Sequence, residues 1–204
     1  MATAAVDTKR TRVGWDFGLP WVLATSIGWA VGGVVLLALI GSLGDTLGNV
    51  AGDTTLGLLV GIGQWLVLRQ WLDKAGWWIL ASAGGWLLGA SLLVLQGPLG
   101  ENMGGLIATI GLGLIPGTLQ WLLLRQQVAR AGWWVLASTV LTFVALLAGV
   151  AAGNGVAPEG SGLGFGLILG ITSGLVFGIT SALVLGRLLR HPAPAPMRVM
   201  PAAG

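Results

Sequence analysis

Cysteine and tyrosine are absent from the sequence, histidine occurs once, and charge is scarce. Without cysteine there is no disulfide framework, no thiolate nucleophile and no Cys-ligated metal site. The single histidine, His191, lies in the polar tail rather than inside an apolar run. That argues against His-ligated haem or chlorophyll, and it removes an HExxH zinc site and a Ser–His dyad. Charged residues form 8% of the chain, where a soluble domain carries about 25%. With 55% hydrophobic residues and a mean hydropathy of +0.89 over 204 residues, the chain is neither an ordinary soluble globule nor a disordered one. It reads as a membrane-embedded protein.

What is present is a series of long uncharged runs. They cover 17–44, 75–100, 102–124, 131–158 and 160–186, each bounded by charged residues. Every one exceeds the roughly 20 residues that cross about 30 Å of hydrocarbon as a helix. A sixth segment, 47–69, is apolar apart from Asp53 and Gln64 up to its closing Arg69. None alternates with period two, so helices rather than strands are expected. The expected fold is an all-α membrane protein with spans at about 19–41, 47–69, 76–96, 103–125, 132–153 and 161–187. The apolar stretch of span 1 is too long for a signal peptide and is read as an uncleaved helix. Residues 1–16 form a polar N-terminal segment, and 191–204 a Pro-rich tail that should be extended.

The ten bases fix an orientation. They are Lys9, Arg10, Arg12, Arg69, Lys74, Arg125, Arg130, Arg187, Arg190 and Arg198, all at the termini or in the 2–3 and 4–5 turns. The other three turns carry Asp45, Asp53, Glu101 and Glu159 and no base. The positive-inside rule places both termini in the cytoplasm. The high isoelectric point of about 10.7 is therefore a topology signal rather than a nucleic-acid signal.

An internal repeat is visible. Gly61–Ala83 (GIGQWLVLRQWLDKAGWWILASA) and Gly117–Thr139 (GTLQWLLLRQQVARAGWWVLAST) are identical at 14 of 23 positions at an offset of 56. Trp21–Thr25 matches Trp78–Ser82, and Gly178–Leu185 matches Gly117–Leu124 more weakly, with Ser181-Ala182 in place of Gln-Trp. Three tandem two-helix hairpins are expected, arranged as a closed pseudo-threefold bundle or as an open row. The Gly-x-x-Gln-Trp-Leu-x-Leu-Arg … Ala-Gly-Trp-Trp unit resembles a repeat in uncharacterised bacterial multi-pass membrane proteins. The resemblance implies a multi-pass helical architecture, and with it the inner membrane, but no activity.

Three groups of residues invite a role. Gln64, Gln120 and Asp53 are polar groups within or near the spans and need partners there. If span 2 begins near Leu47, Asp53 is intramembrane; if it begins at Thr54, Asp53 is a wet helix cap. Trp65, Arg69, Trp77, Trp78, Trp121, Arg125, Trp133 and Trp134 are expected to form an interfacial Trp/Arg belt, since indole and guanidinium both favour that depth. A flat aromatic lining for a hydrophobic ligand (carotenoid, quinone or lipid) is the functional version of that belt. Finally, the chain holds 36 glycines. Gly57, Gly61, Gly113, Gly117, Gly162, Gly166, Gly170, Gly174 and Gly178 recur at four-residue spacing, so they mark packing faces. These faces suggest that the even-numbered helices meet one another. Pro116 is expected to kink span 4.

No catalytic constellation emerges. The reading is a non-enzymatic integral membrane protein, structural or accessory, or a bundle contacting lipid or a hydrophobic ligand. Its partners are the bilayer, other membrane subunits or further copies of itself. A small channel or transporter with its pathway at the repeat interface is the alternative.

Overall fold

The computed structural model describes residues 14–156 and 162–193. The basic N-terminal segment with Lys9, Arg10 and Arg12, the turn bearing Glu159, Arg198 and the proline-rich stretch from residue 194 lie outside the described residues. Six helices are long and apolar enough to cross a membrane: α1 (Trp15–Leu43), α2 (Asp45–Leu68), α3 (Trp77–Leu99), α4 (Glu101–Leu124), α5 (Trp133–Val156) and α6 (Leu163–Leu189). There is no strand among the described residues, only an isolated bridge between Val128 and Pro192. α3 tightens into a 3-10 stretch at Leu92–Leu95 before a last turn at Gln96–Leu99.

The connections follow from a few residues. Gly44 joins α1 to α2 and Gly100 joins α3 to α4, with φ of 79° and 81°. A single-residue link with positive φ suits glycine, which has no Cβ to clash. The turns at the opposite end are longer, and in them Lys74 and Arg130 adopt left-handed backbone at φ 56° and 55°. Gln127 laces these turns together: its Oε1 accepts the Asp73 N–H at 2.9 Å and its Nε2 donates to the Asp73 carbonyl at 3.0 Å. His191–Ala193, expected to begin a free tail, instead pairs with the 4–5 turn. The Ala129 N–H donates to the His191 carbonyl at 2.8 Å and the Ala193 N–H to the Gln127 carbonyl at 3.1 Å. Arg69, Lys74, Arg125, Arg130, Arg187 and Arg190 thus share one end of the bundle.

Each helix packs on its neighbours in sequence, and α6 packs on α1. The six helices therefore form a closed ring, which decides against an open row of hairpins.

The glycine faces hold this ring together, but not as expected. The even-numbered helices do not meet through them. A Cβ at Gly57 would lie 2.6 Å from Trp86 Cβ, and one at Gly61 2.8 Å from Ser82 Cβ, both on α3. Gly113 and Gly117 similarly face Thr139 and Ser138 of α5, each at 2.7 Å. Gly166, Gly170, Gly174 and Gly178 face α1, with Gly170 against the Trp29 carbonyl and Gly174 2.7 Å from Ser26 Cα. Each stripe thus seats the next odd-numbered helix around the ring. The stripe marks a close approach, and four-residue spacing says nothing about which neighbour makes it. Gly162 is the exception: it precedes α6 at φ 90° and a Cβ there would touch nothing within 4 Å.

Side-chain size is sorted accordingly. In α6 the large residues Leu167, Ile171, Leu175, Ile179 and Leu183 are exposed, one position on from the buried small residues Gly166, Gly170, Gly174, Gly178 and Ala182. Leu19, Leu23, Ile27 and Val31 do the same on α1. Large apolar residues are exposed along both helices, whereas soluble monomers rarely expose contiguous apolar patches of more than a few hundred Å². Small residues between helices and large ones outside is the arrangement that lipid selects, because burial brings no hydrophobic gain there and close van der Waals contact decides association.

Gly170→Leu and Gly174→Leu should each cost about 3 kcal/mol or more, since the new side chain would meet α1 backbone and, at Gly174, also the Trp29 Cβ, none of which can move aside easily. Thermal unfolding in mild detergent should fall sharply for both. Gly164→Leu, where a Cβ would meet nothing within 4 Å, should leave it unchanged.

Candidate functional site

Three tryptophans, two glutamines and a few hydroxyls of the spans converge on the middle of the ring. Trp21, Trp78 and Trp134 come from α1, α3 and α5, and all three are buried. Their ring centroids lie 6.3 Å (Trp21–Trp78), 6.5 Å (Trp21–Trp134) and 5.9 Å (Trp78–Trp134) apart. Alternate helices of a closed ring can bring three side chains into mutual contact only inside it, so this indole triangle marks the axis.

Each indole N–H has a partner on the even-numbered helix beside it. Trp78 Nε1 donates to Gln64 Oε1 at 2.9 Å, and Trp134 Nε1 donates to Gln120 Oε1 at 2.8 Å. Trp21 Nε1 donates to Ser181 Oγ at 2.9 Å. The amides use their other end too. Gln64 Nε2 donates to Thr25 Oγ1 at 3.3 Å, and Gln120 Nε2 donates to Ser82 Oγ at 3.0 Å. One glutamine therefore ties three helices: α2 to α1 and α3 through Gln64, α4 to α3 and α5 through Gln120. Ser181 is too short to reach further, and Ser138 donates instead to the Gly113 carbonyl at 2.9 Å. In a low-dielectric interior such a polar array is stabilising only when its members are satisfied, and Gln64 and Gln120 each use both ends of the amide.

Two of the eight residues expected in the belt, Trp78 and Trp134, thus lie at the axis instead. Trp78 and Trp134 are 0% and 1% exposed, while their neighbours Trp77 and Trp133 are 58% and 61% exposed. Successive helical residues point about 100° apart, so one indole of each pair turns to lipid and the other to the axis. Trp65 and Trp121 are half-buried. The Arg69 guanidinium lies 5.5 Å from the Trp65 ring and that of Arg125 5.1 Å from the Trp121 ring, which is cation–π distance.

A second aromatic tier fills the axis beyond the triangle. Trp29 meets Trp86 edge-on at 5.3 Å and Phe177 at 6.2 Å. Thr142, eight residues after Trp134, occupies the place on α5 that Trp29 and Trp86 hold on α1 and α3. A cavity of about 20 Å³ remains between the tiers, bordered by Gln64, Gln120, Trp29 and Thr142. Trp29 Nε1 is buried beside it without a hydrogen-bond partner. The space is enough for about one water molecule.

Asp53 stands apart from this array. α2 begins at Asp45, so Asp53 lies two turns inside the helix, and it is 6% exposed. It is not a helix cap. Its carboxyl has no hydrogen-bond or ion-pair partner among the described residues.

Trp21, Ser181, Thr25 and Ser82 escaped assignment from the sequence. The offset alignment already pairs Trp21 with Trp78, Thr25 with Ser82 and Ser181 with Gln120. Treating aligned positions as one structural site would have found them.

Gln64→Leu should cost about 1–3 kcal/mol, because it strands the Trp78 N–H in an apolar interior. Trp78→Phe should cost less than the loss of the ring would, since it keeps an aromatic in place. The double variant should be less destabilised than the sum of the two, and the Gln120/Trp134 pair should behave alike. Unfolding in detergent by a double-mutant cycle reads the coupling directly. The chain matches no family model, no curated protein and no solved structure, so the geometry of these side chains alone carries a functional reading.

Proposed function

We propose that the protein is a non-enzymatic integral membrane protein, a structural or accessory helical bundle whose outer face contacts lipid or another apolar partner. The observation that carries this reading is the indole triangle. The Ser181 hydroxyl and the amides of Gln64 and Gln120 are consumed in fixing Trp21, Trp78 and Trp134 across the axis, which leaves little polar surface there for a solute. A transport pathway would need polar groups lining a continuous passage; here two aromatic tiers stand in the way.

In this reading the chain is three tandem hairpins set around the axis, and the recurrence of Trp–Gln–hydroxyl bonding, with Trp and Gln 56 residues apart and the hydroxyls 57, supports it. The basic end faces the cytoplasm, both termini with it, and the membrane is the bacterial inner membrane. The large exposed residues Leu80, Leu136, Leu183 and Ile27 serve the surrounding acyl chains, a membrane subunit or another copy.

A channel or transporter is the second reading, and Asp53 favours it. An unpartnered intramembrane carboxyl is costly and commonly takes part in ion or proton movement. That reading requires the indole triangle to open.

Reconstitution separates the two. Purified protein in liposomes should give no ion or proton flux above protein-free vesicles. A flux that Asp53→Asn abolishes would overturn the proposal and establish the second reading.

A further inference from the structure

A groove of about 580 Å³ runs down the outer face of the bundle between α5 and α6. Its walls are apolar, formed by residues such as Leu136, Val140 and Val184. Its mouth, at the basic end, carries Arg130, Arg187 and His191. The lining on α5 extends from Trp133 to Leu141, a rise of about 12 Å of helix. One leaflet of hydrocarbon is about 15 Å deep, so the groove spans most of it.

The mouth is held in place. Arg130 sits on left-handed backbone at φ 55° directly ahead of α5. A carbonyl can only accept, so His191 Nδ1 donates to the Arg187 carbonyl at 2.9 Å, and the His191 carbonyl in turn accepts the Ala129 N–H. Neither guanidinium has an ion-pair partner among the described residues, and no carboxylate lines the groove. The α3/α4 hairpin carries Gln126 at the position aligned with Arg187, so the charge pair belongs to α5/α6.

We propose that this groove is a binding site for an anionic phospholipid, its phosphate between Arg130 and Arg187 and one acyl chain laid along Leu136, Val140 and Val184. The inference rests on the bundle being embedded in lipid. Within a bilayer the acyl chain gains little from leaving its neighbours, so selectivity comes from the headgroup. Guanidinium matches phosphate in charge and in fork geometry, and bases at this depth attract anionic lipids. The apolar walls set position and the arginines set preference.

The test compares three proteins in phosphatidylcholine nanodiscs doped with phosphatidylglycerol: the unaltered chain, Arg130→Gln/Arg187→Gln, and Arg69→Gln/Arg125→Gln. The last pair removes equal charge from the same end but lies outside the groove. After transfer to mild detergent, native mass spectrometry counts the lipid retained. Phosphatidylglycerol should stay on the unaltered chain and on Arg69→Gln/Arg125→Gln. It should drop by about fivefold for each groove arginine lost. Equal loss from both pairs, or no preference over phosphatidylcholine in a bundle that still unfolds at the usual temperature, overturns the site and leaves the structural reading intact. Protein that stays dispersed without amphiphile would instead overturn the reading beneath it.

Discussion

A buried indole N–H needs an acceptor, and in lipid there is no bulk water to supply one. That constraint organises the bundle. Trp21, Trp78 and Trp134 can fill the axis because Ser181, Gln64 and Gln120 receive their protons at 2.8–2.9 Å. The amides are tolerable there because the indoles, with Thr25 and Ser82, satisfy them in return. Neither group would be stable at this depth alone. Each bond crosses between helices, so satisfying the polar atoms and closing the ring are the same event.

The glycine faces work on the other term of the balance. Amphipathic sorting cannot drive these helices together, because they are apolar all round and the solvent is too. Close backbone approach replaces it. Gly170 under the Trp29 carbonyl and Gly57 under Trp86 bring helices near enough for the short Trp–amide bonds to form. Large side chains are displaced to the outside, and the basic end adds guanidiniums over Trp65 and Trp121 and at the α5/α6 groove.

Much of the fold was legible in the sequence. Charge placement separates the helical segments, since a charge in hydrocarbon is costly and, among the described residues, charges fall in the turns or within a turn of a helix end, with Asp53 the exception deeper inside α2. Rotation about each helix axis was not legible. Trp77 and Trp78 are equivalent by composition and depth, and with no polar face on the helix nothing in one sequence says which of them turns inward. The glycine stripes located the contacts but not the partners. Asp53 could be placed only once the start of α2 was known, because the Gly-Asp-Thr-Thr sequence reads equally well as a cap.

The axis exists only if the first helix meets the last. A Cβ at Gly178 would lie 3.5 Å from Thr25 Cβ, and disulfides join Cβ atoms about 3.5–4.5 Å apart. The native chain has no cysteine, so Thr25→Cys/Gly178→Cys gives a clean background. With a protease site placed in the 5–6 connection, oxidation in membranes should keep the two fragments joined until reductant is added. Fragments that separate without reductant, or that join only as dimers of the chain, would contradict the closed ring.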